Sequence, residues 1–289
     1  MDSVRYAAAG GTKDPEPPPV KAHSVNADIP APLEMGRQMD TTTPGRFAGR
    51  TIIVTGAGAG IGRATAERIV ADGGTVIATD LLEDRLTSLT DALGESVTAV
   101  AGDISDQTIC DQVVNAAGAT IDGLANVAGI MDGFLPTAEV DDDTWERVLR
   151  VNLTAVMRLT RAVLPRMIEQ GRGSIVNVSS EAGLRGSAAG TAYTTSKHAV
   201  IGLTRSTAFF YTPSGVRCNA VAPGGVATSI EAPFNSDFAM ARLGPLMQTN
   251  VPPIAKASEL AAAITWLLSD DSSNVSGAVL ADDGGWAAI

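Results

Sequence analysis

The chain has 289 residues, 21 Lys plus Arg against 32 Asp plus Glu for a formal net charge of −11, and 45% hydrophobic but only 4% aromatic side chains. That length and apolar content exclude wholesale disorder and suit one large α/β domain, while the acidic balance argues against a nucleic-acid or anionic-membrane partner, both of which need a basic face. No run approaches the roughly 18 apolar residues of a membrane span, the start lacks the apolar stretch of a signal peptide, and Cys110 and Cys218 form no disulfide framework, so a soluble cytoplasmic protein with two free core thiols is expected.

In chain order, residues 1–47 hold Pro15, Pro17, Pro18, Pro19, Pro30, Pro32 and Pro44 and few large apolar side chains. They read as an extension outside the folded body. From Arg50 the texture changes to short β-branched runs separated by helical patterns, beginning with Thr51–Thr55, a Gly-rich turn and a helix over 64–71. Strands are expected at 75–79, 97–101, 121–125, 173–178, 216–221 and 277–280, with long helices over 141–169 and 190–212. Strands alternating with helices imply βαβ crossovers. The expected architecture is a Rossmann-like, doubly wound, mostly parallel seven-stranded sheet with helices on both faces, in a single domain over 48–289. The irregular stretch 224–255, with Phe234, Phe238, Met240, Leu243, Leu246 and Met247, reads as a substrate flap.

The turn after the first strand runs Thr55-Gly56-Ala-Gly58-Ala-Gly60-Ile61-Gly62 and opens a helix. Glycines there let the backbone approach a pyrophosphate while the helix N-terminal amides face its charge. At the end of the second strand Asp80, followed by Leu81, can accept hydrogen bonds from the ribose hydroxyls of NAD and would repel the 2′-phosphate of NADP. Arg63 and Arg85 are the bases near enough to reverse that preference, and both read as members of solvated helix faces. Asp103-Ile104 after the third strand meets the adenine edge in this reading, and Asn126-Val-Ala128-Gly129 after the fourth lines the adenosine side. All these loops lie at the carboxyl ends of strands, where open α/β sheets bind ligands.

Tyr193 and Lys197 stand at i and i+4 and so share one helix face, where the ammonium would favour phenolate and bring the tyrosine toward use as a general acid or base. Ser180 follows the fifth strand, thirteen residues before Tyr193. Thr55-Gly-x-x-x-Gly-Ile-Gly62, Asp80, Asp103, Asn126-x-Ala-Gly129, Asn152, Ser180, Tyr193-x-x-x-Lys197 and Pro223-Gly224 occur in this order, and the sequence resembles the short-chain dehydrogenase/reductase family from about residue 48 to the end. The Val127 position departs from the usual Asn-Asn-Ala-Gly.

The resemblance implies an NAD-dependent enzyme that interconverts a secondary alcohol and a ketone. In it Tyr193 exchanges the proton, Lys197 lowers its pKa and holds the nicotinamide ribose, Ser180 holds the substrate oxygen, and Asn152 holds a relay water. Pro223, Gly224, Val226 and Thr228 would meet the nicotinamide carboxamide. It also implies a homotetramer or homodimer, built on the long helices and the closing Asp282-Asp283-Gly-Gly-Trp286. Two other readings remain open. One is an NADPH-dependent 3-oxoacyl-thioester reductase, against which Asp80 and the acidic balance count. The other is a non-catalytic dinucleotide sensor, which the intact set of four catalytic residues disfavours. His198 reads as structural, His23 shows no partner, and no cluster has metal-ligand spacing.

Overall fold

The computed structural model of the protein describes residues 45–230 and 232–288. The expected extension therefore lies, up to residue 44, outside the described residues. The strands are β1 (Thr51–Thr55), β2 (Thr75–Asp80), β3 (Val97–Ala101), β4 (Gly123–Asn126), β5 (Gly173–Val178), β6 (Val216–Pro223), β7 (Val226–Ala227), β8 (Ala255–Lys256) and β9 (Val279–Asp282). The helices are α1 (Gly60–Ala71), α2 (Glu83–Leu93), α3 (Gln107–Ala116), α4 (Asp142–Leu149), α5 (Ala155–Gln170), α6 (Thr191–Tyr211), α7 (Asp237–Asn250) and α8 (Ala257–Leu268).

Seven strands form one parallel sheet in the order β3-β2-β1-β4-β5-β6-β9. Alternate residues of a strand point to opposite faces, and both faces are covered. Ile52 and Val54 pack with Ile69, Leu86, Leu89, Leu260 and Ile264 of α1, α2 and α8, whereas Ile53 packs with Leu159, Val163 and Met167 of α5. Burial on both sides is why these strands read as unbroken apolar runs rather than alternating ones. The strand order reverses between β1 and β4, which opens a crevice at their carboxyl ends. Thr55 bridges that crevice, its Oγ1 accepting the amides of Val127 and Ala128, both at 3.0 Å.

Four local expectations change. The fourth strand starts at Gly123 rather than 121, because the Ile121 backbone is claimed by a side chain: its N–H donates to Gln170 Oε1 at 2.9 Å and its carbonyl accepts from Gln170 Nε2 at 3.1 Å. The last strand starts at Val279 rather than 277, since Gly277 has φ +79°, a conformation no strand accommodates. The helix expected over 141–169 is broken by a π-helical turn at Arg150–Thr154 between α4 and α5. Finally, the boundary at 47/48 falls too late. Phe47 is 1% exposed within the core on the α1 side, and its N–H donates to the Asp72 carbonyl at 2.9 Å. A single aromatic ring in a proline-rich context carried no periodicity to announce that burial.

The flap expected over 224–255 has a closed base. β7 pairs with β8, and the Ala255 N–H donates to the Gly225 carbonyl at 2.9 Å. The segment between them carries α7, capped by Ser236, whose Oγ accepts from the Ala239 N–H at 3.0 Å. Phe47→Ala is expected to cost about 3–5 kcal/mol of unfolding free energy, the usual loss for deleting a buried aromatic ring. A chain beginning at Gly45 should unfold at the same urea concentration as the full chain. Urea unfolding of both would check this, and a Phe47→Ala midpoint equal to wild type would remove the ring from the core.

Candidate active site

The glycine turn is dictated by contact distances. A Cβ at Gly62 would lie 2.1 Å from the Gly56 carbonyl oxygen, so only glycine lets α1 start this close to the turn that precedes it. Gly60 adopts φ +53° and lies under Thr228, whose Cβ would be 3.0 Å from a side chain there. Thr228, early in the 224–255 stretch, therefore covers the glycine turn. Ala59 caps α1 with no side-chain hydrogen bond, leaving the first-turn amides open toward the crevice, where the helix dipole favours an anion. Gly58 and Ile61 belong to the same turn.

Asp80, at the end of β2, aims its carboxylate at this turn. Its Oδ2 accepts the Gly58 N–H at 3.0 Å and its Oδ1 the Leu82 N–H at 3.1 Å. Leu81 is exposed on the rim, 68% open to solvent. Arg63 is paired with Glu67 at 2.9 Å and with Ser88 at 3.2 Å on the outer face of α1. Together the open glycine turn, the uncapped α1 and the Asp80 carboxylate beside them fit a dinucleotide.

Other members of the expected set serve the scaffold. The Asn126 side chain points away from the crevice into a fully buried polar chain, donating to Asn177 Oδ1 at 2.8 Å and Thr160 Oγ1 at 3.3 Å. Asn177 in turn donates to Thr204 at 2.9 Å. Asp103 Oδ1 accepts the Ser105 N–H at 2.8 Å, and the Ile104 side chain is buried with Cys110. Asn126 and Ile104 therefore offer an adenosine only backbone edges, whereas the exposed Asp103 carboxylate still presents Oδ2. Ala128 packs against Gly56, Pro223 ends β6, and Gly224 lies against Asp283, with its N–H donated to the Asp282 carbonyl at 3.3 Å. Val226 forms β7. His198 bonds the Thr194 carbonyl on an exposed face of α6, as a structural residue would.

The four residues expected to carry chemistry converge. Lys197, 3% exposed, donates from Nζ to the Val178 carbonyl at 2.9 Å, while the Ser179 hydroxyl donates to the Lys197 carbonyl at 2.9 Å. The end of β5 and the second turn of α6 are thus bonded in both directions. Tyr193, one turn earlier, lies with its ring centroid 5.4 Å from that ammonium and hydrogen-bonds Ser180. Asn152 sits in the π-helical turn, fully buried, with Oδ1 accepting the Ile130 N–H at 2.9 Å and Nδ2 donating to the Ile130 carbonyl at 2.9 Å and Ser196 Oγ at 3.2 Å. A Cβ on Gly129 would stand 3.3 Å from Asn152 Oδ1 and 3.4 Å from Lys197 Nζ, so glycine lets the backbone pass close beside both polar groups.

Burial dominates the electrostatics. It pushes the Tyr193 phenol up to about 12, with the Asp132 charge acting in the same direction and the Ser180 hydrogen bond opposing it. It also pulls Lys197 down to about 8. The lowering expected from the lysine neighbour is not met, since burial moves the phenol up. Tyr193 is held as a neutral phenol, a proton donor, across the neutral range.

Sequence reasoning passed over Asp132 and Glu181. Asp132 is 2% exposed and accepts the Tyr193 N–H with Oδ2 at 2.9 Å and the Phe134 N–H with Oδ1 at 3.1 Å. Glu181, directly after Ser180, is 1% exposed and paired with Arg185, whose guanidinium lies 5.1 Å from the Trp286 ring. A carboxylate inside an apolar loop, Ile130-Met131-Asp132-Gly133-Phe134, was the available signal for the first.

The lysine supplies a stability prediction. Unfolded Lys197 keeps its proton to its ordinary 10.5 while the folded residue loses it near 8, so between those values the unfolded state binds more protons and stability rises with pH. Relative to Lys197→Met, wild type should gain up to about 3 kcal/mol of unfolding free energy from pH 7 to pH 10. Urea titrations at the two pH values would check it, and parallel curves would contradict the burial of a charged lysine.

Among the described residues no helix is long and apolar enough to cross a membrane, and no cluster of His, Cys, Asp and Glu could hold a metal. Residues 50–239 match the family model described as short chain dehydrogenase. The 3beta-hydroxysteroid dehydrogenase 2 of Eggerthella lenta is 38% identical over 253 residues, spanning 84% of this chain and 96% of that protein. Levodione reductase superposes with a TM-score of 0.76 at 33% identity over 84% of this chain and 99% of its own. A protein assigned as an NAD(P)-dependent gluconate 5-dehydrogenase from Beutenbergia cavernae, holding NADP at low occupancy, superposes at 0.75 with 36% identity over 85% and 100% of the two chains. With a seven-stranded parallel sheet, a glycine turn at its switch point and the matched sequence spanning most of both, this chain belongs to the short-chain dehydrogenase family of oxidoreductases.

Proposed function

We propose that the protein is an NAD-dependent oxidoreductase that interconverts a secondary alcohol and a ketone in the cytoplasm, with Tyr193 as general acid and base. The observation that carries this reading is the convergence of Ser180, Tyr193, Lys197 and Asn152 beside the glycine turn. The nicotinamide, when bound, supplies or accepts the hydride. In the reducing direction Ser180 and Tyr193 hold the substrate oxygen, and Tyr193 releases its phenolic proton to the oxygen as negative charge develops there. Lys197 stabilises the resulting phenolate. Its Nζ and Asn152 share the wall around Gly129, a path by which the proton can be restored from solvent.

Asp80 supports NAD over NADP, because a carboxylate already held by the Gly58 amide would face the 2′-phosphate at close range. The apolar flap side chains support a substrate with an apolar ring body, in keeping with the hydroxysteroid dehydrogenase and levodione reductase names of the similar proteins. Exposed Phe209 and Phe210 on α6 support a homotetramer or homodimer built on α5 and α6, readable by light scattering.

Titration with NADH and NADPH, followed by a nicotinamide absorbance screen over secondary alcohols and cyclic ketones, tests the class. Tyr193→Phe is expected to lower kcat by about 10²–10⁴-fold with NADH binding kept; near-normal turnover would end the mechanism. Asp80→Ala combined with Leu81→Arg should raise the NADP/NAD ratio of kcat/KM by at least about tenfold. An unchanged ratio would take the ribose reading away from Asp80.

A further inference from the structure

Helix α6 begins without a side-chain cap of its own. Its N-cap residue is Gly190, so the amides of the first turn depend on groups from elsewhere. The amide of Tyr193, third in the helix, is taken by Asp132, a carboxylate 61 residues away in sequence, at 2.9 Å. A Cβ at Gly190 would lie 2.5 Å from Asp132 Oδ2 and 2.5 Å from the Leu135 amide nitrogen, so the helix start and the 132–135 loop are in contact at a distance only glycine allows. The Thr191 N–H adds a bond to the Leu135 carbonyl at 2.9 Å. Asp132 is thus a tertiary cap, buried and negatively charged at the positive end of the helix that carries the tyrosine.

The other carboxylate oxygen reaches toward the flap. Oδ1 accepts the Phe134 N–H at 3.1 Å and holds that residue at φ +58°, the only non-glycine positive φ among the described residues. A bulky side chain in the left-handed region is strained and persists only where its surroundings impose it. What the strain achieves is visible in the next contact. The Phe134 ring stacks on Phe234 of the flap with centroids 4.1 Å apart and planes 10° from parallel, and the Asn235 N–H donates to the Gly133 carbonyl at 2.9 Å. Phe134 also forms one wall of a cavity of about 300 Å³ bounded by Pro136, Gly190 and Thr194 on one side and Phe238 and Leu243 of α7 on the other.

We propose that Asp132 is a positioning residue for Tyr193, and that Asp132, Phe134 and Phe234 form a clasp through which seating of the flap over an apolar ring substrate and placement of the tyrosine are one event. The clasp rests on the oxidoreductase reading for its consequence in turnover, but its mechanical part stands on these contacts alone. None of Asn152, Ser180, Tyr193 and Lys197 lines that cavity, so a substrate acts on the clasp through the flap it lies under and not by filling the cavity. The loop that carries Phe134 also holds the cap of α6, so a well-seated substrate meets a fixed phenol. A substrate too small to hold the flap meets a looser one.

The test uses the full chain and two variants, Phe234→Ala in the half-buried flap and Asp132→Asn, which keeps one acceptor oxygen for two donors. Amide hydrogen exchange resolved to single residues is read at Tyr193 and across α7. Phe234→Ala is expected to speed exchange at both by about tenfold or more, with no residue of the Tyr193 helix altered. Asp132→Asn should do the same from the other end. Exchange that quickens in α7 while Tyr193 stays at the wild-type rate, or that changes at neither place, overturns the clasp.

In turnover of a cyclic ketone both variants should lose about tenfold in kcat with the KM for NADH within twofold, and an unchanged kcat overturns the positioning role. If wild type turns over no alcohol or ketone, the oxidoreductase reading falls while the exchange experiment still decides the clasp.

Discussion

The end of β5 and helix α6 are joined by two bonds of opposite direction: Lys197 gives its ammonium proton to the Val178 carbonyl, and Ser179 gives its hydroxyl proton to the Lys197 carbonyl. The residues of the proposed chemistry are all referenced to this junction. Ser180 is the next residue on the strand side, and Tyr193 is one turn away on the helix side. Neither can shift without breaking a buried hydrogen bond, whose loss leaves a desolvated group unpaired. Gly183 makes the junction possible, since a Cβ there would lie 2.4 Å from Ser179 Oγ and 2.9 Å from the Lys197 carbonyl.

The junction runs against stability. Burying an ammonium with one carbonyl acceptor disfavours the charged form, which is why the lysine is drawn toward neutrality, and burial likewise holds the phenol beside it in its neutral form. The fold offsets the cost with two apolar cores on either side of the sheet and with a buried amide chain, Asn126–Asn177–Thr204, that leaves no polar group of β4 or β5 at that level unpaired. The price of a tuned site is spread over the scaffold that carries it.

The α/β class and the parallel sheet could be read from the amino acids because buried strands are apolar runs and crossover helices separate them. The glycine turn and Asp80 could be read because a tight turn at a strand end tolerates few residues, and Tyr193 and Lys197 because their spacing is one helical turn. What escaped reading depends on partners distant along the chain. Phe47 is buried by α1 and the start of β2, and Ile121 leaves the sheet because Gln170 takes its backbone. Asn126 turns inward to Asn177. Asp132 caps a helix whose own start carries no acceptor. The burial that raises the Tyr193 phenol is likewise a property of the folded environment, which spacing alone does not contain.

The π-helical turn at Arg150–Thr154 has a meaning of its own. One such turn adds a single residue to an otherwise regular helix and rotates everything beyond it by about 100° relative to what precedes. The apolar faces of α4 and α5 are therefore out of phase by one position, and Asn152 is the residue the extra turn pushes inward, to the floor of the crevice. In evolutionary terms the site stands one codon from its absence. Deleting one residue between Leu149 and Ala155 would restore an unbroken helix, good by every local measure, with no amide left beneath Gly129. Small indels in helices are usually judged by the stability they cost. Here the deletion would cost both stability and chemistry, because α5 turned by about 100° would also take Leu159, Val163 and Met167 off the sheet.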